Sequence, residues 1–332
     1  MTMFEKNIIL IRKKPVGENS IEEIASRLAK DLDMKLVSVP YYSTRISNLI
    51  RNILFVRQLK APVIHIITPS EAYLLPFLQG KRIITYHDLG TVFSARNRIF
   101  KIARKFLHIL PSKYFADEIT FVSEQTKNEY INVTGYKKRE RLHVIYNAYD
   151  ERLIPTNSIR KNDKFTILSV GTAKRKNLLS TIRAIRGLDI KLSIVGKLNE
   201  EQKLELKTNQ IDYENMYDIA YEEIIEQYNR CDIVCFPTFY EGFGCPLIEA
   251  NAMEKPIVAG DIPVLHEIGD KAAYFVNPNS VEEIRKAIVD LMENSSLRNM
   301  YIQAGKKNIE RFAHSAIASD YGLLYKSVLS NR

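Results

Sequence analysis

The sequence predicts an α/β protein with two domains, each built on a doubly wound parallel sheet. The chain has 332 residues, about twice the length of an ordinary single domain. Short apolar runs of strand length alternate with longer segments whose apolar residues recur at helical spacing. This alternation occurs in the first half and again in the second. It is typical of parallel sheets with helices on both faces.

The first half contains six candidate strands and intervening helices. The first helix is predicted to begin at Ser20, because Ser20 followed by Glu23 is a common pattern at helix starts. Apolar residues at Ile21, Ile24 and Leu28 then give one face of that helix. The candidate strands are Ile8–Ile11, Leu36–Val39, Val63–Ile67, Ile83–Tyr86, Ile119–Val122 and His143–Tyr146.

The second half repeats the pattern after a polar stretch. We predict an N-terminal domain of residues 1–155, a linker of residues 156–164, a C-terminal domain of residues 165–312 and a final helix within residues 313–332. Doubly wound sheets bind ligands at the carboxyl ends of their strands, so a ligand is expected in the cleft between the domains. The candidate strands are Phe165–Val170, Leu192–Val195, Ile233–Phe236, Ile257–Ala259 and Ala273–Val276.

Composition narrows the protein class. Apolar residues make up 45% and charged residues 26%, which are globular values that exclude a disordered or fibrous chain. No apolar run reaches the roughly 18 residues of a membrane span, and the N-terminus lacks the order of a signal peptide. We therefore expect a cytoplasmic protein. Its three cysteines have no metal-binding spacing, and buried thiols are the simpler interpretation.

Positive charge is concentrated in the first half. Residues 1–150 hold 24 Lys and Arg against 14 Asp and Glu, whereas residues 151–332 hold 24 against 25. An anionic partner is therefore expected at the first domain, if anywhere. No recognition motif for nucleic acid accompanies this charge, which disfavours nucleic-acid binding.

The segment with the most chemical information is Pro237–Ala252, PTFYEGFGCPLIEANA. It follows a candidate strand, and Pro246 indicates a helix starting near Cys245. A glycine-containing loop before a helix N-terminus exposes backbone N–H groups and forms an anion site. Glu241 and Glu249 add two carboxylates to this site. Taken separately, each feature also has a structural interpretation, since glutamate in a first turn complements the helix dipole.

This segment resembles the E-x7-E motif of the retaining glycosyltransferases of family 4, which have the GT-B fold. The resemblance extends to KPIVAGDIPVLHEIGDKAAYFVNP, FTILSVGTAKRKNLLSTIRAI and KLSIVGK in the second half. In the first half YHDLG, TFVSEQTKNEY and VIYNAYD resemble family segments in the same order. The resemblance implies two Rossmann-like domains that face each other across a cleft, with the C-terminal helix crossing back to the first domain.

The resemblance also implies roles for residues around the donor. Glu249 would hold the ribose hydroxyls of a sugar nucleotide, and Glu241 would contact the donor sugar. Lys176 would neutralise the diphosphate. Arg175 either supplies a second charge or is a solvated surface residue, and Thr172 stands where many members have arginine. The remaining donor-binding positions would be Gly171, Gly242, Phe243, Gly244, Cys245 and Leu247.

Three positions in the first half are implied on the acceptor side of the site. His87 in YHDLG matches a family histidine near the donor sugar and the acceptor, although a lone histidine after a strand is often structural. Asp88 either belongs to the site or caps a turn. Gly17 matches the place of a glycine-rich loop whose usual second glycine is missing here.

A basic amphipathic stretch lies between Asp88 and Asp117, where no acidic residue occurs. It is either a contact with an anionic membrane surface or a core helix with a solvated basic face. Apolar residues such as Phe100 and Phe106 are interleaved with the charges. The basic residues predicted to contact anions are Arg96, Arg98, Lys101, Arg104 and Lys105.

The resemblance implies a retaining hexosyltransferase that moves a sugar from a nucleoside diphosphate to a glycan or lipid-linked acceptor. Neither a metal nor another cofactor is expected. Metal-dependent sugar transferases use a D-x-D motif, and the one D-x-D sequence here, Asp31-Leu32-Asp33, is interpreted as a polar turn. The sequence leaves two alternatives: a non-catalytic subunit with the same fold in a glycan-assembly complex, and a sugar-nucleotide epimerase. Such an epimerase would not be expected to contain the E-x7-E loop.

Overall fold

The computed structural model describes residues 6–13, 20–90, 98–156 and 163–330. The chain divides into two compact units, one formed by residues up to Ala148 together with the segment from Ser315, the other by Tyr149–His314. In the described ranges each unit contains a six-stranded sheet in which neighbouring strands pair in parallel. The predicted class of two doubly wound α/β sheets is confirmed.

The first sheet has the strand order β2-β1-β3-β4-β5-β6. Its central strands are buried on both faces, which is why they read as continuous apolar runs. The strands are β1 Ile8–Ile11, β2 Lys35–Ser38, β3 Lys60–Ile66, β4 Gln79–Tyr86, β5 Glu118–Phe121 and β6 Leu142–Val144.

Helices cover both faces of the first sheet. The helices are α1 Ser20–Asp31, α2 Ile46–Val56, α3 Arg98–Arg104, α4 Leu110–Phe115 and α5 Glu124–Thr134, with a π-helical turn at Lys105–Ile109. The first helix and the C-terminal helix share one apolar cluster. Helices α2 and α5 and a 3₁₀ segment, Pro69–Phe77, contribute to a second cluster, and helix α4 packs against that 3₁₀ segment. In the described residues helix α1 covers Ser20–Asp31, where the sequence predicted a helix.

The second sheet has the order β12-β11-β10-β7-β8-β9. The chain runs outward from β7 to β9 and then returns to β10, so the order reverses between β7 and β10. Doubly wound sheets bind ligands at such a reversal. The strands are β7 Phe165–Val170, β8 Ile190–Val195, β9 Tyr213–Met216, β10 Ile233–Phe236, β11 Ile257–Gly260 and β12 Tyr274–Val276.

The helices of the second unit connect these strands and end in a long C-terminal pair. The last helix belongs to the first unit from Ser315 onward, which agrees with the implied return of the C-terminal helix to the first domain. The helices are α6 Leu178–Ala184, α7 Glu200–Thr208, α8 Tyr221–Arg230, α9 Cys245–Ala252, α10 Pro263–Gly269, α11 Val281–Glu293, α12 Ser295–Ile309 and α13 His314–Ser330.

Strand β9 was not predicted from the sequence. It lies at the edge of the second sheet, and its residues YENM are exposed or half-buried. An edge strand needs no continuous apolar run, so the pattern used for the other strands cannot detect it. Most of the predicted linker, residues 157–162, lies outside the described residues. None of the described helices is long and apolar enough to cross a membrane.

Candidate functional site

The loop between β10 and α9 is shaped by a glycine whose backbone conformation and surroundings disfavour any side chain. Gly244 has φ +103°, and a Cβ atom there would lie 2.4 Å from Leu265 Cδ2. Helix α9 begins directly after it at Cys245, with Pro246 in the first turn, as the sequence predicted. The N–H of Leu247 donates to the carbonyl of Gly244 at 2.9 Å.

Glu241 lies buried within this loop and is paired with two cations. Its Oε1 lies 2.9 Å from Lys176 Nζ, and its Oε2 lies 2.6 Å from Arg175 Nη1. Thr238 Oγ1 also donates to Glu241 Oε1, at 2.9 Å. Arg175 is exposed and Lys176 is half-buried. Two cations beside one carboxylate give this place a net positive charge. The structure therefore brings Arg175, Lys176 and Glu241 together.

The side chain of Lys176 passes over a glycine. Gly171 directly follows β7 and has φ +93°, and a Cβ atom at this position would lie 3.1 Å from Lys176 Cγ and 3.2 Å from its Cε. The Lys176 ammonium lies 4.6 Å from the centre of the Phe236 ring, a cation–π distance. Glycine at 171 thus leaves room for the lysine to reach Glu241.

Thr172 joins the loops that follow the two adjacent strands β7 and β8. Its hydroxyl donates to the carbonyl of Lys197 at 2.7 Å. Its own carbonyl accepts from Gln202 Nε2 at 2.7 Å. A Cβ atom at Gly196 would lie 2.9 Å from the Thr172 methyl group. Thr172 therefore has a structural role. The second cation beside the Glu241 carboxylate, in addition to Lys176, is Arg175.

Two side chains that sequence reasoning missed hold this site in place. Asn177 adopts φ +60° and donates from its amide to the carbonyls of Pro237 and Pro278, at 3.0 and 2.6 Å. Asparagine tolerates this left-handed conformation better than most residues. An asparagine directly after the basic run Lys174–Lys176 was therefore the one sequence signal for this turn. Thr238 Oγ1 also lies 2.8 Å from the carbonyl of Arg175, but its single proton serves one acceptor at a time. The N–H of Phe239 donates to that carbonyl at 2.8 Å and fixes the two loops to each other.

Glu249, in helix α9, is half-buried beside phenols from helix α8. Tyr228 OH donates to Glu249 Oε2 at 2.6 Å, and Tyr221 forms a further hydrogen bond with Glu249. Burial raises the pKa of Glu249, and the Tyr228 hydrogen bond and the charge of Lys176 oppose that rise. Lys176 thus acts electrostatically on both Glu241 and Glu249. Tyr228 was not anticipated, because a buried tyrosine in an amphipathic helix looks like an ordinary core residue.

The remaining predicted donor-side residues are mostly buried. The Phe243 ring packs edge-to-face against Phe312 with centroids 5.7 Å apart, so its side chain belongs to the core. Burial raises the pKa of Cys245 to about 12, which keeps it a neutral thiol. Gly242 is also buried. Any contribution of Gly242 and Phe243 to a ligand would come from backbone atoms.

The predicted acceptor-side residues lie in the first unit, at the end of β4. His87 is half-buried, and burial lowers its pKa to about 4. Asp88 Oδ1 accepts the N–H of Gly90 at 2.9 Å, so this side chain caps a turn. Gly17 lies outside the described residues.

The predicted anion-contact residues fall on helix α3 and the π-helical turn after it. Lys101 and Arg104 are exposed and Lys105 is half-buried. Arg98 begins the helix, and Arg96 lies outside the described residues. Ile99 and Phe100 on the same helix are 73% and 63% exposed, so this stretch is not a core helix with only a basic outer face.

Two family models match successive parts of the chain. Residues 19–153 match Glycosyltransferase Family 4, and residues 150–308 match Glycosyl transferases group 1. Among curated relatives, the O-antigen chain mannosyltransferase RfbU of Salmonella typhimurium is 26% identical over 228 residues, which cover 66% of this chain and 63% of the relative. The MMP alpha-(1->4)-mannosyltransferase of Mycolicibacterium hassiacum is 23% identical over 203 residues, covering 58% and 49%. The matched regions thus span less than two thirds of these relatives.

Solved structures share the whole fold. The sucrose-phosphate synthase of Thermosynechococcus elongatus superposes with a TM-score of 0.80 at 16% identity, covering 98% of this chain and all of that one. Anabaena HepE, solved in complex with UDP and glucose, gives 0.79 at 15% identity, covering 96% and 99%. At such identities the likeness concerns the fold. Because the two family models together span residues 19–308, the chain belongs to the glycosyltransferases of family 4.

Proposed function

We propose that this protein is a retaining glycosyltransferase that moves a hexose from a nucleoside-diphosphate sugar to a glycan or lipid-linked acceptor. The observation that carries the proposal is the pairing of Glu241 with Lys176 and Arg175 beside the first turn of helix α9. A diphosphate entering this place meets two positioned cations and a helix N-terminus. Both favour an anion with terminal phosphate oxygens.

The cations also suit the chemistry of sugar transfer. Negative charge grows on the leaving diphosphate as its bond to the anomeric carbon breaks, and positive groups that are already in place lower that barrier. Lys176 and Arg175 supply this charge, so we propose that transfer requires neither a metal nor another cofactor. In a front-face reaction the acceptor hydroxyl attacks the anomeric carbon from the face that the phosphate leaves, which retains the anomeric configuration. The departing phosphate accepts the proton of that hydroxyl.

Glu249 is proposed to hold the ribose of the nucleotide. A carboxylate fixed by Tyr228 at 2.6 Å is a rigid acceptor for ribose hydroxyls. Mannose is the transferred sugar that we propose, because the curated relatives reported above are named mannosyltransferases. Glu241 would contact that sugar while keeping Lys176 and Arg175 in position.

The donor is tested by thermal unfolding in the presence of GDP-mannose and of UDP-, ADP- and dTDP-sugars. At about 100 times its dissociation constant a specific donor stabilises a protein by roughly 2.7 kcal/mol. The stabilisation is expected with GDP-mannose and is expected to vanish in Glu249→Ala. Glu254→Ala is the matched control. Glu254 lies outside the site, and its carboxylate is 2.9 Å from Lys306 Nζ. Absence of a response to every nucleotide sugar would contradict the proposal and favour a non-catalytic subunit.

The reaction course is tested on the product. Proton NMR of the new linkage should show the anomeric configuration of the donor, and a chelator such as EDTA should leave the rate unchanged. An inverted product would rule out the retaining mechanism. A rate restored only by an added divalent cation would rule out the metal-independent one.

We propose further that the first unit rests on an anionic membrane surface near a lipid-linked acceptor. Helix α2 exposes three apolar residues one turn apart, Ile46, Ile50 and Leu54, and the first of them is 78% exposed. Helix α2 and the π-helical turn Lys105–Ile109 both pack against Pro69–Phe77, so they flank the same segment. The exposed basic residues beside these apolar side chains are Arg45, Arg51, Arg57, Lys101 and Arg104.

Apolar side chains ringed by arginine and lysine suit the interface of an anionic bilayer. The apolar groups enter the headgroup region while the cations attract negatively charged lipids. A core helix would bury this apolar face, whereas Ile99, Phe100 and Phe106 are each more than half exposed. The surface formed by helix α2 and residues 98–107 is therefore the membrane contact that we propose.

A further inference from the structure

Two buried polar atoms lack a hydrogen-bond partner among the described residues, and both lie beyond the carboxyl ends of strands of the first sheet. They are Glu22 Oε2 and His87 Nε2. Glu22 stands in the first turn of helix α1, after β1, and His87 follows β4 directly. Buried polar atoms in folded proteins are almost always paired, so each exception calls for an explanation. The Glu22 carboxylate acts electrostatically on the His87 ring, which places the two in one locality.

The other polar atoms of both side chains are already occupied. Glu22 Oε1 accepts from Arg12 Nε at 2.8 Å, and Glu22 is only 7% exposed. The backbone N–H of Arg12 in turn donates to Thr68 Oγ1 at 3.0 Å. The His87 ring hydrogen-bonds to the carbonyl of Ile67. Because His87 Nε2 is the unpartnered nitrogen, Nδ1 is the atom that donates to Ile67.

Both unpartnered atoms are therefore hydrogen-bond acceptors. Burial keeps the imidazole neutral at pH 7, since the pKa of His87 is lowered to about 4. With the proton on Nδ1, Nε2 presents a lone pair. Glu22 Oε2 presents the lone pairs of a carboxylate. A ligand that pairs with both atoms must donate hydrogen bonds to them, whereas a phosphate or an ionised carboxylate would bring only further acceptors.

We propose that Glu22 Oε2 and His87 Nε2 accept hydrogen bonds from two hydroxyl groups of the acceptor sugar. The inference rests on the proposed transferase function and adds Glu22 as a binding residue for the acceptor. A sugar ring carries hydroxyls on neighbouring carbons and can offer two O–H donors from one side. We assign them to the acceptor because Arg12, Glu22 and His87 all belong to the first unit, whereas the cations proposed for the diphosphate belong to the second.

The test follows the His87 ring by NMR in the full-length chain during titration with methyl α-D-mannopyranoside and the corresponding glucoside and galactoside. At least one glycoside is expected to shift the His87 resonances. Glu22→Gln keeps the size of the side chain but replaces the unpartnered acceptor by an N–H₂ donor, so its affinity should fall about tenfold. Glu22→Asp, which keeps the charge and shortens the reach, serves as the second variant if Glu22→Gln does not fold.

Glu23→Gln is the matched control. Glu23 is the next residue in the same helical turn, but it pairs with Arg27 at 3.4 Å and should bind the glycoside like the unaltered protein. Equal affinities of the Glu22 and Glu23 variants would overturn the inference. So would inorganic phosphate shifting His87 at lower concentration than any glycoside, or no glycoside shifting it at all.

The two proposals fail in different ways. If no nucleotide sugar stabilises the unaltered protein, the transferase function fails. If GDP-mannose stabilises the unaltered protein and the Glu23 variant while Glu22→Gln retains full glycoside affinity, only the acceptor assignment fails. In steady-state kinetics the inference predicts a rise of about tenfold in the acceptor KM for Glu22→Gln, and a rise confined to the donor KM would contradict it.

Discussion

The lysine that pairs with Glu241 packs closely over Gly171. A Cβ atom at residue 171 would press on the Lys176 stem at 3.1 Å, and the Lys176 ammonium contacts both the Phe236 ring and the carboxylate. Breaking a buried ion pair by displacing one partner is costly, because the other charge stays desolvated. The position of Lys176 at the proposed diphosphate site thus depends on Gly171, which has no side chain to contact a ligand.

Replacement of Gly171 by alanine should therefore weaken donor binding as well as stability. Gly187→Ala is the matched control, because Gly187 also has positive φ, +73°, but has no atom within 4 Å of an added Cβ in the described structure. Both variants should lose about 1 kcal/mol of unfolding free energy from backbone strain. Gly171→Ala should additionally bind GDP-mannose about tenfold more weakly, since a charge-assisted contact is disturbed.

Thermal unfolding measures the first effect and calorimetric titration with GDP-mannose the second. Equal donor affinities in the two variants would show that the contact between Gly171 and Lys176 does not position the cation.

At the residue scale the E-x7-E motif predicted Glu241 and Glu249, and the family resemblance of the segment after β7 implied Lys176. The structure places Lys176 against Glu241 and within electrostatic reach of Glu249. It could not predict Glu22 or Tyr228. Both stand on amphipathic helices, where the pattern specifies which face is buried but not whether a buried polar atom finds a partner. That information depends on strands and helices that are distant in sequence.

At the scale of elements, a strand or helix could be predicted from the sequence when burial gave it a regular apolar pattern. Strands buried on both faces, such as β10 with IVCF, were predicted from their apolar runs. The polar edge strand β9 was not. Helix α2 is a second case, since its exposed residues Ile46, Ile50 and Leu54 have the same spacing as a core-facing stripe. A sequence shows that a helix has an apolar face and not whether another element covers it.

The exposed face of helix α2 leads to a test of the membrane proposal. The full-length chain should float with vesicles rich in phosphatidylglycerol and not with pure phosphatidylcholine, and high salt should weaken binding because it screens the basic residues. Ile50→Ser combined with Leu54→Ser should reduce vesicle binding about tenfold, since two partly buried apolar side chains contribute on the order of 1.4 kcal/mol.

Leu204→Ser is the control for that test, because Leu204 is 65% exposed on helix α7 of the second unit. It should leave flotation unchanged. Equal binding to neutral and anionic vesicles, or full binding by the double variant, would contradict the proposed surface.

At the scale of the whole chain, the last helix is tied to the first unit by buried polar bonds. His65 lies in the middle of the first sheet, with Nδ1 2.6 Å from Tyr325 OH and Nε2 2.7 Å from Thr85 Oγ1. Tyr321 OH lies 3.3 Å from the same threonine hydroxyl. Residues separated by 260 positions in sequence thus complete one network. The C-terminal helix was predicted from its amphipathic pattern and from the resemblance, but this anchor could not be, because His65 reads as one polar residue within an apolar strand.

The His65 anchor makes the stability of the first unit sensitive to acid. Burial lowers the pKa of His65 to about 3, against 6.5 as its ordinary value. Above pH 6.5 the histidine is neutral in both the folded and unfolded states, and its contribution to stability is complete. Below pH 6.5 the unfolded chain binds a proton that the folded chain does not, so stability falls as the pH approaches 3. The loss from this group alone is about 2.7 kcal/mol at pH 4.5.

The pH profile of unfolding and the NMR signals of the His65 ring measure this dependence independently. The His65 ring should remain neutral at pH 5 in the folded protein. At pH 4.5 the acid-dependent loss of unfolding free energy should be smaller in His65→Gln by about 2.7 kcal/mol. His87 also has a pKa lowered to about 4, and its charge lowers the pKa of His65. The two proteins are therefore compared at pH 5 and pH 4.5, where His87 in the folded chain is still mostly neutral. A His65 ring that titrates near pH 6.5 in the folded chain would mean that the C-terminal helix does not seal this part of the sheet from water.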